Sequence, residues 1–292
     1  MKVEEFYDPK TNRYPYPEDT SSHYLSVKKD NGVKFDKNYP YIDKSKSFVF
    51  KQKMTKLLLL LVVFPMTRIR LGLRMEGKEN LKKNKELLKK GVVSVCNHVH
   101  MWDYLAIMST CRRFKINLLA WAKNVTGENG TLVRMVGGIP IPENDYAASL
   151  AFVNSVDNLL NEGGWLHIYP EGSMWEYYRP IRPFKKGAAH FACSNQKPLL
   201  PLGFSYRKPS WFRRVFFKQL ATYTIHVGEP LFSNTELSKY EQEEDLTIRS
   251  HQAICKLVGF KEGENPYEPI YKNSKRVDYY TKEYGVGYKG SW

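Results

Sequence analysis

A run of small and β-branched residues that leads into a histidine-containing loop constrains the fold of this chain more than any other stretch. Residues 91–95 read Gly-Val-Val-Ser-Val, which is typical of a buried strand, and apolar side chains at 104–108 follow with helical spacing. The pattern predicts a strand, a loop and a helix, with His98 just past the carboxyl end of the strand. Open α/β sheets usually place their chemistry at that end of their strands.

His98 and Asp103 are the candidate reactive pair of this loop. They stand five residues apart, and on one helix they would lie on different faces, because only spacings of three and four meet. A loop that turns into a helix can bring the carboxylate back to the imidazole, which fixes the tautomer and leaves the other ring nitrogen available as a general base. No Ser or Cys stands at a nucleophile position nearby, so the pair indicates deprotonation of a group from outside, such as a hydroxyl that attacks an acyl carbonyl. A structural histidine in an ordinary loop is the alternative.

His100 completes a His-x-His pattern, but no third ligand stands at metal spacing, so we expect no metal site.

Length and charge set the broad class. The 292 residues are enough for one large α/β domain with extensions. A formal charge of +15 indicates an anionic partner: a membrane surface, nucleic acid or phosphorylated substrates. The four cysteines lack paired spacing, which favours free thiols in a reducing compartment, and the first residues lack the apolar core of a secretory signal.

The N-terminal part divides into two segments. Residues 1–46 are polar with scattered aromatic side chains, and we expect an arm with little core of its own. Residues 47–67 end in ten uncharged residues, 57–66, about half of what a spanning helix needs. Basic residues flank this apolar run: Lys51, Lys53, Lys56, Arg68, Arg70 and Arg74. A buried core helix and a full span are alternatives, but we favour an interfacial membrane-associated element whose flanks hold lipid phosphates.

The rest of the chain alternates strand and helix patterns. Strands are predicted over 69–75, 116–122, 165–169, 198–205 and 220–227, and a turn over 77–80. Helices are predicted over 146–161, with Asp145 as the N-cap, over 187–193, and over 236–258. Residues 261–292 form a Tyr-rich tail without a visible period.

A second loop rich in polar and charged groups follows the strand predicted over 165–169. It begins Pro-Glu-Gly-Ser at 170–173, and four cations come next: Arg179, Arg182, Lys185 and Lys186. Such a loop can hold a polar anionic head group, since Glu171 receives hydroxyls, Gly172 allows close approach and arginine supplies forked donors for phosphate. A solvated turn with ordinary surface cations is the alternative.

Both loops together resemble the glycerolipid acyltransferase family. The resemblance rests on Asn97-His98 with Asp103, then residues 170–173, then Phe-Lys-Lys-Gly-Ala at 184–188, in that order. Residues 76–80 ahead and 198–201 behind extend it, so that it covers about 68–260. Among the family's members, the chain is similar to bacterial 1-acyl-glycerol-3-phosphate (lysophosphatidic acid) acyltransferases.

The resemblance implies an α/β fold, a single mixed sheet flanked by helices over 68–260, with the membrane-associated element in front of it. It implies that His98 is the general base and that Asp103 orients it. Lys123 and Asn97 would stabilise the oxyanion or position the reacting groups. The acceptor would be bound by the residues of the second loop: Glu171, Gly172, Ser173, Arg179, Arg182, Lys185 and Lys186.

The resemblance also implies the reactants and the location. The acyl donor would be a thioester of acyl carrier protein or coenzyme A, and the acceptor a lysophospholipid, giving phosphatidic acid in phospholipid biosynthesis. No bound cofactor or metal is needed. The protein would sit at the cytoplasmic face of the cell membrane, peripheral or monotopic, against anionic lipids.

Two departures from the family pattern bear on the acceptor. Many members carry an Arg after the segment that corresponds to 136–142, and another two residues after the Glu-Gly pair, where this chain has Met174. Both positions are linked in the family to the acceptor phosphate. We expect Arg179, Arg182, Lys185 or Lys186 to supply that charge.

Other functions stay open from the sequence. The acceptor could be another lysolipid or glycerol-3-phosphate, and a hydrolase would need only that the site admits water. A basic membrane-binding module without catalysis would explain the charge but not the order of His98, Asp103 and Glu171. Nucleic acid is not expected, because the cations do not form an aromatic-interleaved stripe.

Overall fold

A mixed sheet of seven strands organises the chain in the computed structural model, which describes Tyr16 and residues 30–268. In chain order the strands are β1 (Arg74–Glu76), β2 (Val92–Val95), β3 (Ile116–Trp121), β4 (Gly138–Ile141), β5 (Trp165–Ile168), β6 (Leu199–Arg207) and β7 (Thr222–Val227). Their order across the sheet is β1-β7-β6-β2-β5-β3-β4, and every neighbouring pair is parallel except β6 and β7. The expected single mixed sheet is confirmed. The expectations for residues 1–15, 17–29 and 269–292 lie outside the described part.

Helices cover both faces of this sheet. They are α1 (Lys46–Leu58), α2 (Phe64–Leu71), α3 (Lys78–Lys83), α4 (Lys85–Leu88), α5 (Asp103–Thr110), α6 (Ala122–Thr126), α7 (Gly130–Met135), α8 (Tyr146–Asn161), α9 (Gly187–Ser194), α10 (Trp211–Phe216) and α11 (Lys239–Leu257). Alternate side chains of β2 enter two different hydrophobic clusters, as the two-residue period of a strand requires. One cluster holds α8, α9 and α11, and the other holds the end of α2 together with α3, α4 and α5.

The direction of the strands defines the edge at which the reactive loops lie. We name it the carboxyl edge, because β2, β3, β4, β5 and β6 all end there. β7 runs against β6 and β1 runs parallel to β7, so these two strands begin at the carboxyl edge. Two further connections therefore lie at the carboxyl edge together with His98. They are the turn between α2 and β1, and the connection between β6 and β7 that contains α10.

The N-terminal helical segment is longer than the sequence indicated. Five residues in π-helical geometry, Leu59–Val63, join α1 to α2, and the amide of Phe64 donates to the carbonyl of Leu59, five residues back. A proline inside a helix removes one donor and crowds the preceding turn. Here the wider π turn directly precedes Pro65, and the helix continues to Leu71, where Gly72 in the left-handed region (φ 55°) ends it.

This segment buries little of its apolar surface. α1 has no buried residue, and the buried side chains of the π segment and α2 are Leu59, Phe64, Thr67 and Leu71. Large exposed apolar side chains cover the rest: Phe50, Met54, Leu57, Leu58, Leu60, Leu61, Val62, Met66 and Ile69. The buried core helix considered from the sequence is therefore wrong for most of this segment. Within the described residues, no helix has both the length and the apolar character needed to cross a bilayer.

Most predicted elements are present, two predictions need correction, and some short elements were not predicted. The predicted strand over 69–75 is instead the end of α2 followed by β1, because the alternation of basic and apolar side chains there coincides with a helix end. The predicted turn over 77–80 is the start of α3, with Gly77 at its N-cap. No element was predicted over 211–216, where the structure has α10. The helix with Asp145 as N-cap is confirmed, since that carboxylate accepts from the amide of Ala148.

Candidate active site

The loop after β2 is fixed to the neighbouring strand β6 by one asparagine. Asn97 is buried, its Nδ2 donates to the carbonyl of Phe204 at 3.0 Å, and its Oδ1 accepts from the amide of the same residue at 2.7 Å. With both ends of its amide engaged, Asn97 holds the backbone before His98 in place. The structure thus gives Asn97 a positioning contact with β6.

His98 and Asp103 are hydrogen-bonded as the loop-to-helix pattern predicted. The Nδ1 of His98 lies 2.7 Å from Oδ2 of Asp103, the first residue of α5. The imidazole is 24% exposed, whereas the carboxylate is only 2% exposed. The same carboxylate oxygen accepts from the amides of Val99 and His100 at 3.0 and 3.3 Å. The histidine therefore reaches the surface and the aspartate is held below it.

The environment keeps Asp103 ionised. Burial alone raises the pKa of its carboxyl, but the charge of His98 and the hydrogen bonds from His98, Tyr169 and Val99 outweigh burial, and the net pKa is lowered. An ionised carboxylate is an acceptor only, so the Nδ1 of His98 carries the hydrogen of this bond. The Nε2 of a neutral His98 is then a base with an available lone pair.

Tyr169 completes this arrangement, and the sequence interpretation did not identify it. Its hydroxyl donates to Oδ1 of Asp103 at 2.6 Å, and its ring stacks on the imidazole of His98 with centroids 3.8 Å apart and planes 10° apart. Burial and the charge of Asp103 raise the pKa of Tyr169 well above its usual value, so it stays a donor. Its place directly after β5 was the signal that could have found it.

A second histidine–carboxylate pair lies next to the first. The Nε2 of His100 is 3.1 Å from Oε1 of Glu176, and its Nδ1 accepts from the amide of Trp102. Burial lowers the pKa of His100 to about 4 and raises that of Glu176 to about 7. The other carboxylate oxygen of Glu176 is buried and has no hydrogen-bond partner among the described residues. His100 is therefore neutral and donates to Glu176.

The two loops are joined through Glu171 and the backbone of His98. The amide of His98 donates to Oε2 of Glu171 at 3.0 Å, and the carbonyl of His98 accepts from the amide of Trp175. Glu171 also accepts from the amide of Arg182 at 2.9 Å and from its guanidinium at 3.0 Å. The carboxylate expected to receive substrate hydroxyls is thus buried and bonded to groups of the chain itself.

Arg182 and Ser173 belong to the same buried network. Arg182 is 1% exposed, donates to the hydroxyl and the carbonyl of Ser173, and lies over the ring of Trp175 at 4.4 Å. Its charge faces Glu171, not the surface. The expectation that Arg182, Glu171 and Ser173 contact the acceptor stays a prediction. They hold the second loop in shape, because a buried ion pair is tolerated only with its hydrogen bonds satisfied.

The remaining residues expected at the acceptor lie on the surface. Gly172 is exposed and has a φ of 80°. A Cβ built at Gly172 would lie 2.9 Å from the Nζ of Lys185, so the lysine side chain lies next to this glycine. Lys186 instead lies 3.9 Å over the ring of Tyr240 and 3.6 Å from Glu244, both on α11. Arg179 is exposed. The structure thus places Lys185 beside the second loop and turns Lys186 towards α11.

Lys123 lies just after β3, in the first turn of α6, at the carboxyl edge. Its side chain is exposed, and its Nζ is 5.0 Å from the ring centroid of Trp121. The role expected for it, stabilisation of an oxyanion, stays a prediction. Among the described residues, no group of His, Cys, Asp or Glu is arranged to hold a metal ion.

Comparison with known proteins finds a family match for the central part of the chain. Residues 72–205 match the family model described as Acyltransferase. Among solved structures, the chain is similar to the crystal structure of the 1-acyl-sn-glycerophosphate (LPA) acyltransferase, PlsC, from Thermotoga maritima, with 17% sequence identity and a TM-score of 0.45. That match covers 72% of this chain and 83% of the other. No curated protein matches the chain significantly. Residues 72–205 therefore belong to the acyltransferase family, the family that the paired loops of His98 and Glu171 indicated.

Proposed function

We propose that this protein transfers a fatty acyl group from an acyl thioester to the free hydroxyl of 1-acyl-glycerol-3-phosphate, giving phosphatidic acid. The thioester is carried by acyl carrier protein or coenzyme A. The membership of residues 72–205 in the acyltransferase family supports the reaction class. The lysophosphatidic acid acceptor extends the resemblance of the ordered motifs, and it is the part of the proposal that the experiment below tests.

One observation carries the proposal: a partly exposed imidazole bonded through Nδ1 to a buried carboxylate at 2.7 Å. Asp103 holds the tautomer in which Nε2 is the base, and Tyr169 keeps both the carboxylate and the ring in place. This is the arrangement that general-base activation of an incoming hydroxyl needs.

The reaction follows from that base. The Nε2 of His98 accepts the proton of the acceptor hydroxyl as its oxygen attacks the thioester carbonyl. A carbon–oxygen bond forms, and the tetrahedral intermediate then expels the thiolate, breaking the carbon–sulfur bond. The thiolate takes the proton from Nε2, so His98 returns to its starting state. We assign the oxyanion of the intermediate to Lys123, whose place after β3 puts it at the same edge of the sheet.

The acceptor phosphate needs cations at the surface beside His98. Of the four cations of the second loop, Arg182 is bonded within the buried network and Lys186 faces α11. We therefore assign the phosphate to Lys185 and Arg179 at the rim of the loop. Arg70 on α2 is a further candidate, since it is exposed and its charge acts on both His100 and Glu176.

We place the enzyme on the cytoplasmic face of the membrane, where residues 46–71 would lie in the interface. The exposed apolar side chains of this segment support that arrangement, since a helix that buries none of them in the protein needs another apolar environment. The basic residues that flank it would contact anionic lipid phosphates.

The test uses purified protein, a labelled acyl thioester and a panel of lysolipids together with glycerol-3-phosphate. Wild type should form phosphatidic acid from lysophosphatidic acid, and His98→Ala should reduce the rate by about a thousandfold or more. His190→Ala is the matched control, because His190 also pairs with a carboxylate, Glu243 at 2.8 Å, but on the surface. Asp103→Asn should impair the rate nearly as much, since an amide can hold the wrong tautomer.

The outcomes separate the parts of the proposal. Product from another lysolipid alone would keep the mechanism and replace the acceptor. Full activity of His98→Ala would rule out the base. No acyl transfer by wild type to any acceptor would reject the enzyme and leave a membrane-binding module.

A further inference from the structure

The short helix α10 carries aromatic side chains into solvent. Trp211 is 72% exposed and Phe212 is 53% exposed, and Phe216 and Phe217 are exposed beside them. The helix has no buried residue, and its rings contact one another, with Phe212 and Phe216 centroids 4.7 Å apart. Soluble surfaces seldom keep large apolar patches of this kind without a partner.

A basic groove borders this aromatic helix. Its lining includes five cations and no carboxylate: Arg68, Arg74, Arg207, Lys208 and Arg213. Burial and the charges of Arg74 and Arg213 lower the pKa of Arg207, against a smaller opposing effect of Glu76, so like charges are held close together here. An anion in the groove would relieve that repulsion.

Contacts with α2 hold α10 and the groove in place. The guanidinium of Arg213 donates to the carbonyl of Ile69 at 2.7 Å, and the side-chain amide of Gln219 donates to the carbonyl of Arg70. These bonds engage carbonyls in the last turn of α2, where the Ile69 carbonyl also accepts from the amide of Gly72 at 3.2 Å. The aromatic helix is therefore joined to the carboxyl end of the apolar helical segment 46–71.

The strand register shows where this side lies relative to His98. Pro201 of β6 pairs with Val95 at the end of β2, and β6 continues to Arg207. At about 3.3 Å per residue, the six further residues carry β6 about 20 Å past β2. α10 thus projects beyond the carboxyl edge, on the side of the sheet at which His98 is exposed.

We propose that α10, Phe217 and the basic groove form a docking surface for an anionic lipid bilayer. The aromatic rings enter the interface at the level of the upper acyl chains, and the groove binds lipid phosphate groups. The inference rests on the proposed membrane association of residues 46–71 and adds a second, separate element to it. It does not depend on the acyl-transfer reaction.

The chemistry of the surface favours a bilayer over other occupants. A second copy of this chain would bring the same five cations together and so repel the first. An acidic protein could match the groove, but the exposed apolar side chains extend over two elements, α10 and residues 46–71. A bilayer offers both an extended apolar phase and a plane of phosphates.

The experiment measures flotation of the full-length protein with vesicles. One set contains phosphatidylcholine alone, and the other contains phosphatidylcholine with phosphatidylglycerol. The double variant Phe212→Ser with Phe216→Ser should weaken partition into the anionic vesicles by about tenfold or more, from the loss of apolar contact. Lys208→Glu in the groove, combined with Arg214→Glu at an exposed position of α10, should weaken it by about tenfold on the anionic vesicles and little on the neutral ones.

Matched controls lie elsewhere on the surface. Phe232 is 54% exposed, as Phe212 is, but it lies next to Leu231, which pairs with the first residue of β6 at the opposite edge. Phe232→Ser should therefore bind like wild type. Lys239→Glu with Lys256→Glu, on α11, makes the same change of charge away from the groove. Thermal unfolding should be unchanged in every variant, because the substituted side chains are exposed.

Selective loss of anionic-vesicle binding in the α10 and groove variants would support the proposal. Wild-type binding by those variants would overturn it, as would equal binding of wild type to both vesicle types. Retention of an acidic protein or of nucleic acid, with no vesicle binding, would also overturn it. A protein that binds vesicles as expected but transfers no acyl group would refute the proposed reaction alone.

Discussion

Tyr169 donates its hydroxyl hydrogen to Oδ1 of Asp103 at 2.6 Å, on the oxygen that His98 does not use. The aspartate thus receives a side-chain donor on each oxygen, and the ring of Tyr169 at the same time lies flat against the imidazole. One side chain therefore fixes two parts of the pair, which makes it the positioning residue to test first.

Tyr169→Phe should lower kcat about tenfold and leave KM nearly unchanged. The substitution keeps the stacked ring but removes a hydrogen bond to a charged group, which contributes about 1.5–3 kcal/mol. Steady-state kinetics over a range of acceptor concentrations measures the split between kcat and KM. Tyr41→Phe is the control, because it removes the hydroxyl of another buried tyrosine, which bonds to the carbonyls of Phe35 and Asp36. An equal effect of both variants would mean a general loss of packing.

Glu176→Gln should change the pH dependence of stability. The folded-state pKa of Glu176 is about 7, above the ordinary value of 4.5 for a glutamate, so the folded state holds this proton more tightly than the unfolded state. The stabilisation that the protonated carboxyl of Glu176 contributes is present at low pH and is lost as pH rises from about 4.5 to about 7. At 1.36 kcal/mol per pKa unit, the loss is at most about 3 kcal/mol. Relative to wild type, the variant should gain stability between pH 5 and pH 8.

Urea unfolding at several pH values measures that difference. The buried histidines His167 and His251 have lowered pKa values and titrate in both proteins, so their contributions cancel in the difference. His100 is bonded to Glu176, but with a pKa of about 4 its folded-state titration in wild type lies below the compared pH range. Glu243→Gln, which makes the same change in another histidine–carboxylate pair, is the control. A difference for Glu176→Gln that does not change with pH would show that this carboxyl is ionised at neutral pH.

Arg182→Met should destabilise the fold by about 3–5 kcal/mol, because it leaves the buried carboxylate of Glu171 without its partner. Adding Glu171→Gln should recover part of the loss, since the unpaired charge is then gone. Lys185→Met, at an exposed neighbour, should cost less than about 0.5 kcal/mol. Chemical unfolding of the four proteins gives the comparison. A stable Arg182→Met protein with weakened acceptor affinity would instead restore the acceptor role that the sequence suggested.

The sequence was informative where local pattern and tertiary structure agree. The β-branched run of β2, the short strand pattern of β5 and the capped helix after Asp145 follow from rules that act over a few residues, and the structure has all three. The bond between His98 and Asp103 could also be anticipated, because the two residues share one loop. Local rules were misleading at 69–75, where a helix end and a strand start share an alternating pattern. They were silent at α10, whose aromatic side chains point away from the core.

Burial and long-range contacts could not be obtained from the sequence. Glu171 and Arg182 have the composition of a head-group site, and only the folded chain shows that they bond to each other. Tyr169 and Asp103 are separated by 66 positions, so their bond depends on the pairing of β2 with β5. Lys186 was expected at the acceptor because of its neighbours in the chain, but α11, more than fifty residues later, provides its contacts.

The π-helical turn at Leu59–Val63 rotates α1 about the helix axis relative to α2, compared with a regular α-helix of the same residues. Each residue of an α-helix advances the chain by about 100° around its axis, and a π turn accommodates one residue more than an α turn. The direction in which α1 presents its apolar side chains, relative to the anchored end of α2, is therefore fixed by a single extra residue. Loss of one residue there would turn the whole of α1 by more than a quarter of a revolution while leaving its composition almost unchanged.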